Sequence, residues 1–494
     1  MKQWLQKNRI EVILFLISFL LHLLVSIFLY AKFGEQVLFF ENADAGGYVS
    51  LAKSIVGGDG FSRNGAPTAV RTPAYPLFLA SILALPVPKV WTILLLQNIM
   101  ASIAVVLVFK IGEMLFSRRA GLVAGAFYAV EPYMLMTANL ATTETVFNFV
   151  LVAFGYFFAR WYLVDKYSSN KIPPLVGEGE GGVTRSIDNP LLPPPNRGRI
   201  FGLTISAALL GLATLVRPAA LYAPGVVLVL LLIRWRYKKE KLTQVLKNAV
   251  VFGLIFFVML SPWMIRQYAR FGTPRITNID SVMLYFRAAP LAVAAEEGIG
   301  YTAAIQVLWQ RLQARFPGAG PGDEYTDFRF YQYMVDTTKE LLARHRGLVF
   351  RTYAVSLVPA MFGTGYEYML TDVFGFSRPA PRVSYSEVIL QQGFGELLNQ
   401  FARPDIFQVV LLVSLALWAG AYILILNILL RPGIWRAHIL ALFFLLGFAG
   451  YFIFVTLGPA VHVRYRIPTF PWLFVLVAAG VDFLMKKRRI RESL

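Results

Sequence analysis

Apolar residues in this chain do not alternate with polar ones. They run in blocks of about twenty, the length that a bilayer core of roughly 30 Å demands of a helix. Ten such blocks occur, at 12–31, 90–109, 120–141, 146–163, 200–216, 219–233, 249–265, 406–430, 439–457 and 469–484. They predict an all-α polytopic membrane protein, a bundle of about ten or more transmembrane helices. Two further apolar stretches, 74–85 and 348–362, are too short or interrupted to span comfortably, and are expected at the interface or in re-entrant positions. Residues 50–56 are expected as a short amphipathic piece on the surface. Lys2, Lys7 and Arg9 precede the first block and no small-residue cleavage site follows it, so it is expected to stay as an anchor helix.

The polar connections divide the chain. Residues 1–265 form a transmembrane module with a long first loop, 32–89, and a Gly- and Pro-rich insertion, 165–199, expected to be disordered and cytoplasmic. Residues 266–405 are mixed in polarity and predict a small subdomain with an interfacial or re-entrant helix. Residues 406–494 return to transmembrane helices.

Charge fixes the orientation. The formal net charge is +19, and in a soluble chain such an excess would suggest nucleic acid. Here the basic residues fall at 110–119, 160–199, 234–247, 431–436 and the C-terminal tail. With the N-terminus inside, strict alternation places every one of these segments in the cytoplasm, so the excess reports topology rather than a nucleic-acid partner. Cysteine is absent, which excludes disulfides and thiolate metal sites.

Candidate chemistry gathers on the opposite face. Asp44 stands in the first outer loop, where it is either a turn or cap residue or a general base. Tyr48 follows four residues on and shares its face if a helix starts here. Glu131 sits in an otherwise apolar run and is followed by Pro132, which frees backbone groups at membrane depth. It is a catalytic candidate, or else the structural partner of an arginine. Glu144, after Thr142 and Thr143, has the position of a first-turn acid at a helix start.

Arg217, Arg266, Arg464 and Arg466 end helices or occupy the last short outer loop. Each either snorkels to headgroups or grips phosphate. If the loop is extended, Arg464 and Arg466 project from one side. His462 can assist there, although lone histidines such as His462 and His22 are more often packed neutral side chains, and their spacing offers no zinc site.

The chain resembles membrane glycosyltransferases of the GT-C superfamily, the group of protein O-mannosyltransferase-like and aminoarabinose-transferase-like enzymes. The resemblance rests on DAGGYVSLA at 44–52 with the following GDGF and RTPAYP, LFSRRAGLVAGA before EPY, ATTE ending at Glu144, GLATLVRP, SPWMIR and RYRIPTFP from Arg464. It implies inverting transfer of a sugar from a polyprenyl-phosphate-linked donor to a lipid, glycan or protein acceptor. The expected setting is the outer, periplasmic face of the cytoplasmic membrane, with no cofactor.

Asp44 matches the aspartate assigned as base in such enzymes, and Arg464 and Arg466 fall where phosphate contacts are placed. Arg71 and Tyr75 of RTPAYP are counted with Tyr48, Glu144, Arg217, Arg266 and His462 among the substrate-binding residues. The chain departs from the family pattern at Ala45, where a second acid often stands, and in its Pro-rich insertion. The rival class is a transporter or flippase of lipid-linked sugars. It calls for repeat symmetry or paired broken helices, and the sequence shows neither.

Overall fold

The computed structural model describes residues 6, 8–39, 43–163, 195–317, 328–363, 365–377, 395–396, 399, 401, 404–458 and 463–492. Residues 165–194 of the expected insertion lie outside these, as does His462.

Helix α1 (Arg9–Phe33) leads through a 3-10 turn to α2 (Ala43–Val56) and a hairpin of β1 (Ser62–Arg63) and β2 (Ala66–Pro67). Then come α3 (Ala74–Leu83), α4 (Lys89–Leu115), α5 (Arg118–Val130), α6 (Pro132–Thr137), α7 (Glu144–Leu163), α8 (Pro195–Val216), α9 (Ala223–Lys238) and α10 (Leu242–Phe271). Short helices α11 (Ile279–Met283), α12 (Ala289–Glu297), α13 (Tyr301–Arg315) and α14 (Phe328–Arg344) follow, with a π-turn at Leu284–Ala288 after α11. The chain continues through α15 (Arg346–Phe362) and α16 (Tyr366–Asp372) to α17 (Ile406–Leu429), α18 (Pro432–Thr456) and α19 (Phe470–Glu492).

Among the described residues eight helices are long and apolar enough to cross a membrane. α1 shows why these runs belong in lipid. It buries Ser18, His22 and Ser26 while exposing Ile17, Leu20 and Leu24. In water that arrangement is inside out. In hydrocarbon it is the favoured one, because the polar groups find partners only in the bundle. Ser26 Oγ accepts from Asn98 Nδ2 of α4 at 2.8 Å, and His22 Nδ1 lies 2.9 Å from the Ser18 carbonyl. The protein is thus a multi-pass membrane protein, and His22 is a packed side chain.

Two of the ten expected spans come out differently. Residues 120–141 are not one helix: α5 stops at Val130, and Glu131 adopts φ −64° and ψ 116° because Pro132 disfavours helix at the preceding residue. α8 begins at Pro195, within the range expected to be disordered. α10 runs past Arg266 to Phe271 and stops at Gly272, whose φ of 70° gives it a left-handed cap, so the subdomain starts later than residue 266. Residues 50–56 are the end of α2 and not a separate piece. Neither α3 nor α15 is among the candidate spans.

Contacts between helices keep the two ends of the bundle distinct. At the basic end Ser117 Oγ donates to Asp482 Oδ2 at 2.8 Å, and buried Arg234 pairs with Glu240 at 2.9 Å. At the other end lie the first loop, the α5–α6 break, and a satellite core of Tyr285, Leu308, Leu312, Tyr331 and Met334 belonging to α11–α14.

Helices approach closely through glycine. A Cβ on Gly155 of α7 would stand 2.3 Å from the Trp472 ring of α19. Gly155→Ala is therefore expected to cost about 1–3 kcal/mol by overpacking, read as a lower unfolding temperature in detergent. An unchanged midpoint would show that the α7–α19 contact is looser than this.

Candidate active site

Asp44 occupies the first turn of α2. Its Oδ1 accepts from Arg71 Nη2 at 2.9 Å, and its Oδ2 pairs with Arg464 Nη2 at 2.7 Å. Tyr48 shares its face, as helical spacing requires, and the Arg71 guanidinium lies 4.2 Å from the Tyr48 ring centre. Gly47 leaves room for this cation, since a Cβ there would come within 3.1 Å of Arg71 Nη2. The Asp44 side chain keeps 35% of its surface exposed, so a substrate can reach it.

The segment carrying Arg71 is fastened on two sides. Asn278 N donates to the Ala69 carbonyl at 2.9 Å and Thr277 Oγ1 donates to that of Val70, both from the subdomain. Thr72 Oγ1 donates to the Val216 carbonyl of α8 at 2.9 Å. The next residue, Arg217, is driven to φ −149° and ψ 125° by Pro218, which ends α8 and turns the side chain out. Arg217 Nη1 meets Glu144 Oε1 at 3.1 Å. Glu144 is a first-turn acid of α7, as its spacing implies, and an arginine partner as well.

Tyr465 stands between the two ion pairs. The guanidinium carbons of Arg217 and Arg464 each lie 5.2 Å from its ring centre, and Arg464 Nη2 is 3.4 Å from its hydroxyl. Burial tends to raise the Asp44 pKa, but Arg464 and Arg71 together hold it well below the usual carboxylate range. Burial likewise opposes the charge on Arg464, and the carboxylates of Glu144 and Asp44 together with the Tyr465 phenol outweigh it, so that cation is held firmly charged.

Other expected site residues go elsewhere. Residues 463–465 form a 3-10 turn rather than an extended strand, so Arg464 and Arg466 diverge. Arg466 is 1% exposed. It lies 3.7 Å from the Trp418 ring centre, donates to the Gly363 carbonyl at 2.6 Å, and reaches the Tyr422 hydroxyl at 3.3 Å.

Glu131 caps α6: its Oε2 accepts from Met134 N at 2.7 Å and its Oε1 from the Tyr366 hydroxyl at 3.0 Å. Arg266 closes the β-hairpin loop, donating to the carbonyls of Phe61 and Thr68 at 2.9 and 2.8 Å. Tyr75 is fully buried, bonded to Gln97 Oε1 at 3.1 Å and packed edge-on against Tyr48, so it supports Tyr48 and presents nothing to a ligand. Among the described residues no cluster of three or more His, Asp or Glu side chains could hold a metal ion.

Residues 70–170 match the family model for dolichyl-phosphate-mannose-protein mannosyltransferase. No curated protein matches the chain in sequence. Among solved structures, the oligosaccharyltransferase AglB from Archaeoglobus fulgidus, in complex with an inhibitory peptide and a dolichol-phosphate, superposes with a TM-score of 0.52 at 13% identity. The match covers 99% of this chain and 52% of that one. The chain therefore shares the fold of that oligosaccharyltransferase's matching part.

A lower TM-score, 0.38 at 12% identity, relates it to ArnT from Cupriavidus metallidurans bound to undecaprenyl phosphate, over 94% of this chain and 77% of that one. The chain spans about half the length of the archaeal protein. The family-model match takes in Arg71, Glu131 and Glu144 and stops short of Asp44, Arg217 and Arg464.

Sequence reasoning passed over Tyr465 in this site, although it stands between the two arginines of RYR. It also passed over Gln97, whose Nε2 donates to the carbonyls of Ala138 and Leu140 while its Oε1 orients Tyr75. The polar pair Gln97–Asn98 inside an apolar run of α4 was the available signal.

Proposed function

We propose that this protein is an inverting glycosyltransferase that moves a sugar from a polyprenyl-phosphate-linked donor to a lipid, glycan or protein acceptor at the outer, periplasmic rim of the cytoplasmic membrane. One observation carries the reading: a reachable carboxylate, Asp44, and guanidiniums from three separate segments, Arg71, Arg217 and Arg464, meet at the end of the bundle away from the basic loops. A donor anchored by its isoprenoid places its phosphate at this rim. The arginines then neutralise the charge that grows on the departing phosphate, and Asp44 takes the proton of the acceptor.

The step balances simply. The acceptor heteroatom loses its proton to Asp44 and forms a bond to the anomeric carbon. The bond from that carbon to the phosphate oxygen breaks on the opposite side, and its electron pair leaves with the polyprenyl monophosphate. Asp44 paired to two arginines is a weak base. A donor phosphate that draws Arg464 away strengthens it at the moment of need. The fold shared with the archaeal oligosaccharyltransferase and the match of residues 70–170 to a mannosyltransferase family support this reading.

The test is mass spectrometry of surface glycolipids and glycoproteins from cells with and without the protein. A missing sugar increment is expected, and identical spectra would refute the assignment.

A pH dependence follows from the ion pairs. Asp44 titrates below its ordinary value of 3.8 in the free enzyme. A depressed carboxylate contributes stability that is present above its unfolded pKa and lost as pH falls through the folded one. Between pH 8 and about 5 neither stability nor kcat/KM should therefore show a step from Asp44, whereas the acid limb of kcat, which reports the donor complex, should lie higher. Superimposable limbs would show that Arg464 does not move.

A further inference from the structure

Tyr465 has no role in the reading above, yet it is the side chain that the two ion pairs share. Arg464, bound to Asp44, and Arg217, bound to Glu144, both lie 5.2 Å from its ring centre. Arg464 is also within electrostatic reach of Glu144, so the two cations have a carboxylate as well as a ring in common. A third cation, Arg287 on the π-turn of the subdomain, acts on the same phenol. Burial raises the phenol's pKa, and Arg464, Arg287 and Arg217 together bring it below the ordinary value.

Arginine is a flexible side chain with considerable rotamer freedom to lose. Two of them converge on one ligand at a smaller entropic cost when something other than that ligand already holds them in place. The carboxylates hold Arg464 by direct contact with Asp44 and Arg217 by direct contact with Glu144, and a phosphate that displaced those contacts would release both cations. The ring face supplies an attraction that lacks a carboxylate's competing charge, so it can persist while the carboxylates are exchanged for an incoming phosphate.

We propose that Tyr465 is a positioning residue whose ring keeps Arg217 and Arg464 together, so that a single lipid-linked phosphate is met by both cations at once. This rests on the function proposed above and adds what that function lacks, a device that couples the arginine from α8 to the arginine of the last loop. Tyr465 acts through its neighbours and is not itself a catalytic residue.

The full-length protein in nanodiscs, titrated with farnesyl monophosphate and separately with inorganic phosphate, tests this. Wild-type protein is expected to bind the lipid phosphate, with Tyr465→Phe within about threefold because the ring remains, and Tyr465→Leu weaker by about tenfold. In an Arg217→Ala background the Tyr465→Leu loss should shrink to about twofold, since a residue that acts through Arg217 has less to position there.

Wild-type affinity in Tyr465→Leu overturns the proposal, as does an undiminished tenfold loss in the Arg217→Ala background, which would mark a merely structural residue. If Tyr465→Leu does not fold, Tyr465→Gln also removes the aromatic face and is read the same way. Failure of the wild-type protein to bind farnesyl monophosphate defeats the underlying phosphate-site reading, and this inference with it. Equal affinity for inorganic phosphate would make the site one for free anion, which overturns the lipid-linked part.

Discussion

Asp44→Asn will lower sugar transfer by about 10³-fold or more while the protein still inserts and folds, because the amide keeps the size of the side chain and loses the proton acceptor. The neighbours make this a sharp test. The introduced amide would still offer its carbonyl oxygen to one of Arg71 and Arg464, which sit at 2.9 and 2.7 Å from the native carboxylate, so the architecture of the loop should survive. The measurement is single-turnover transfer with purified enzyme, alongside thermal unfolding. Turnover within about tenfold of wild type would remove Asp44 from the base role. Loss of folding together with activity would make it a structural anchor for α2.

The second large effect separates two arginines that look equivalent in RYR. Arg464→Ala should reduce kcat/KM for the donor by about 10²-fold through loss of charged hydrogen bonds to phosphate, with little change in unfolding. Arg466→Ala should do the reverse. Its guanidinium is buried against Trp418 and bonded to the Gly363 carbonyl and the Tyr422 hydroxyl, so its removal should cost about 2–4 kcal/mol of stability. Correctly folded Arg466→Ala should retain a donor KM near wild type. If Arg466→Ala instead raises donor KM as strongly as Arg464→Ala does, both arginines belong to one phosphate site, and the divergence seen here is only the resting arrangement.

The membrane architecture was legible because the bilayer's demand for length is written as uninterrupted apolar runs. What such runs conceal is a single residue that forbids helix. The apolar character of 120–141 hides the break at Glu131, although Pro132 announces it to anyone reading dihedral preferences rather than averages. In the site, helical spacing correctly put Asp44 and Tyr48 on one face, and the X-Pro rule explains why Arg217 turns out of α8.

Partnership was not legible. Arg217 and Glu144 are 73 residues apart, and Arg466 meets Gly363 across 103. No local periodicity encodes such pairs. The condition under which Arg464 and Arg466 would share a side, an extended loop, is not met for the same reason: burial of Arg466 against Trp418 and Gly363 accompanies a 3-10 turn that alternation cannot foresee. Arg266 looked like one more outward cation, and its capture by the Phe61 and Thr68 carbonyls depends on a hairpin that only the folded first loop creates.

The fastening of residues 69–72 has a mechanical consequence. Asn278 N and Thr277 Oγ1 hold the Ala69 and Val70 carbonyls from the subdomain, while Thr72 holds α8 from the far side. Arg71 is thus strung between two bodies like the pivot of a balance. The cation that touches Asp44 is placed by three parts of the chain at once, its own loop, the subdomain and the end of α8.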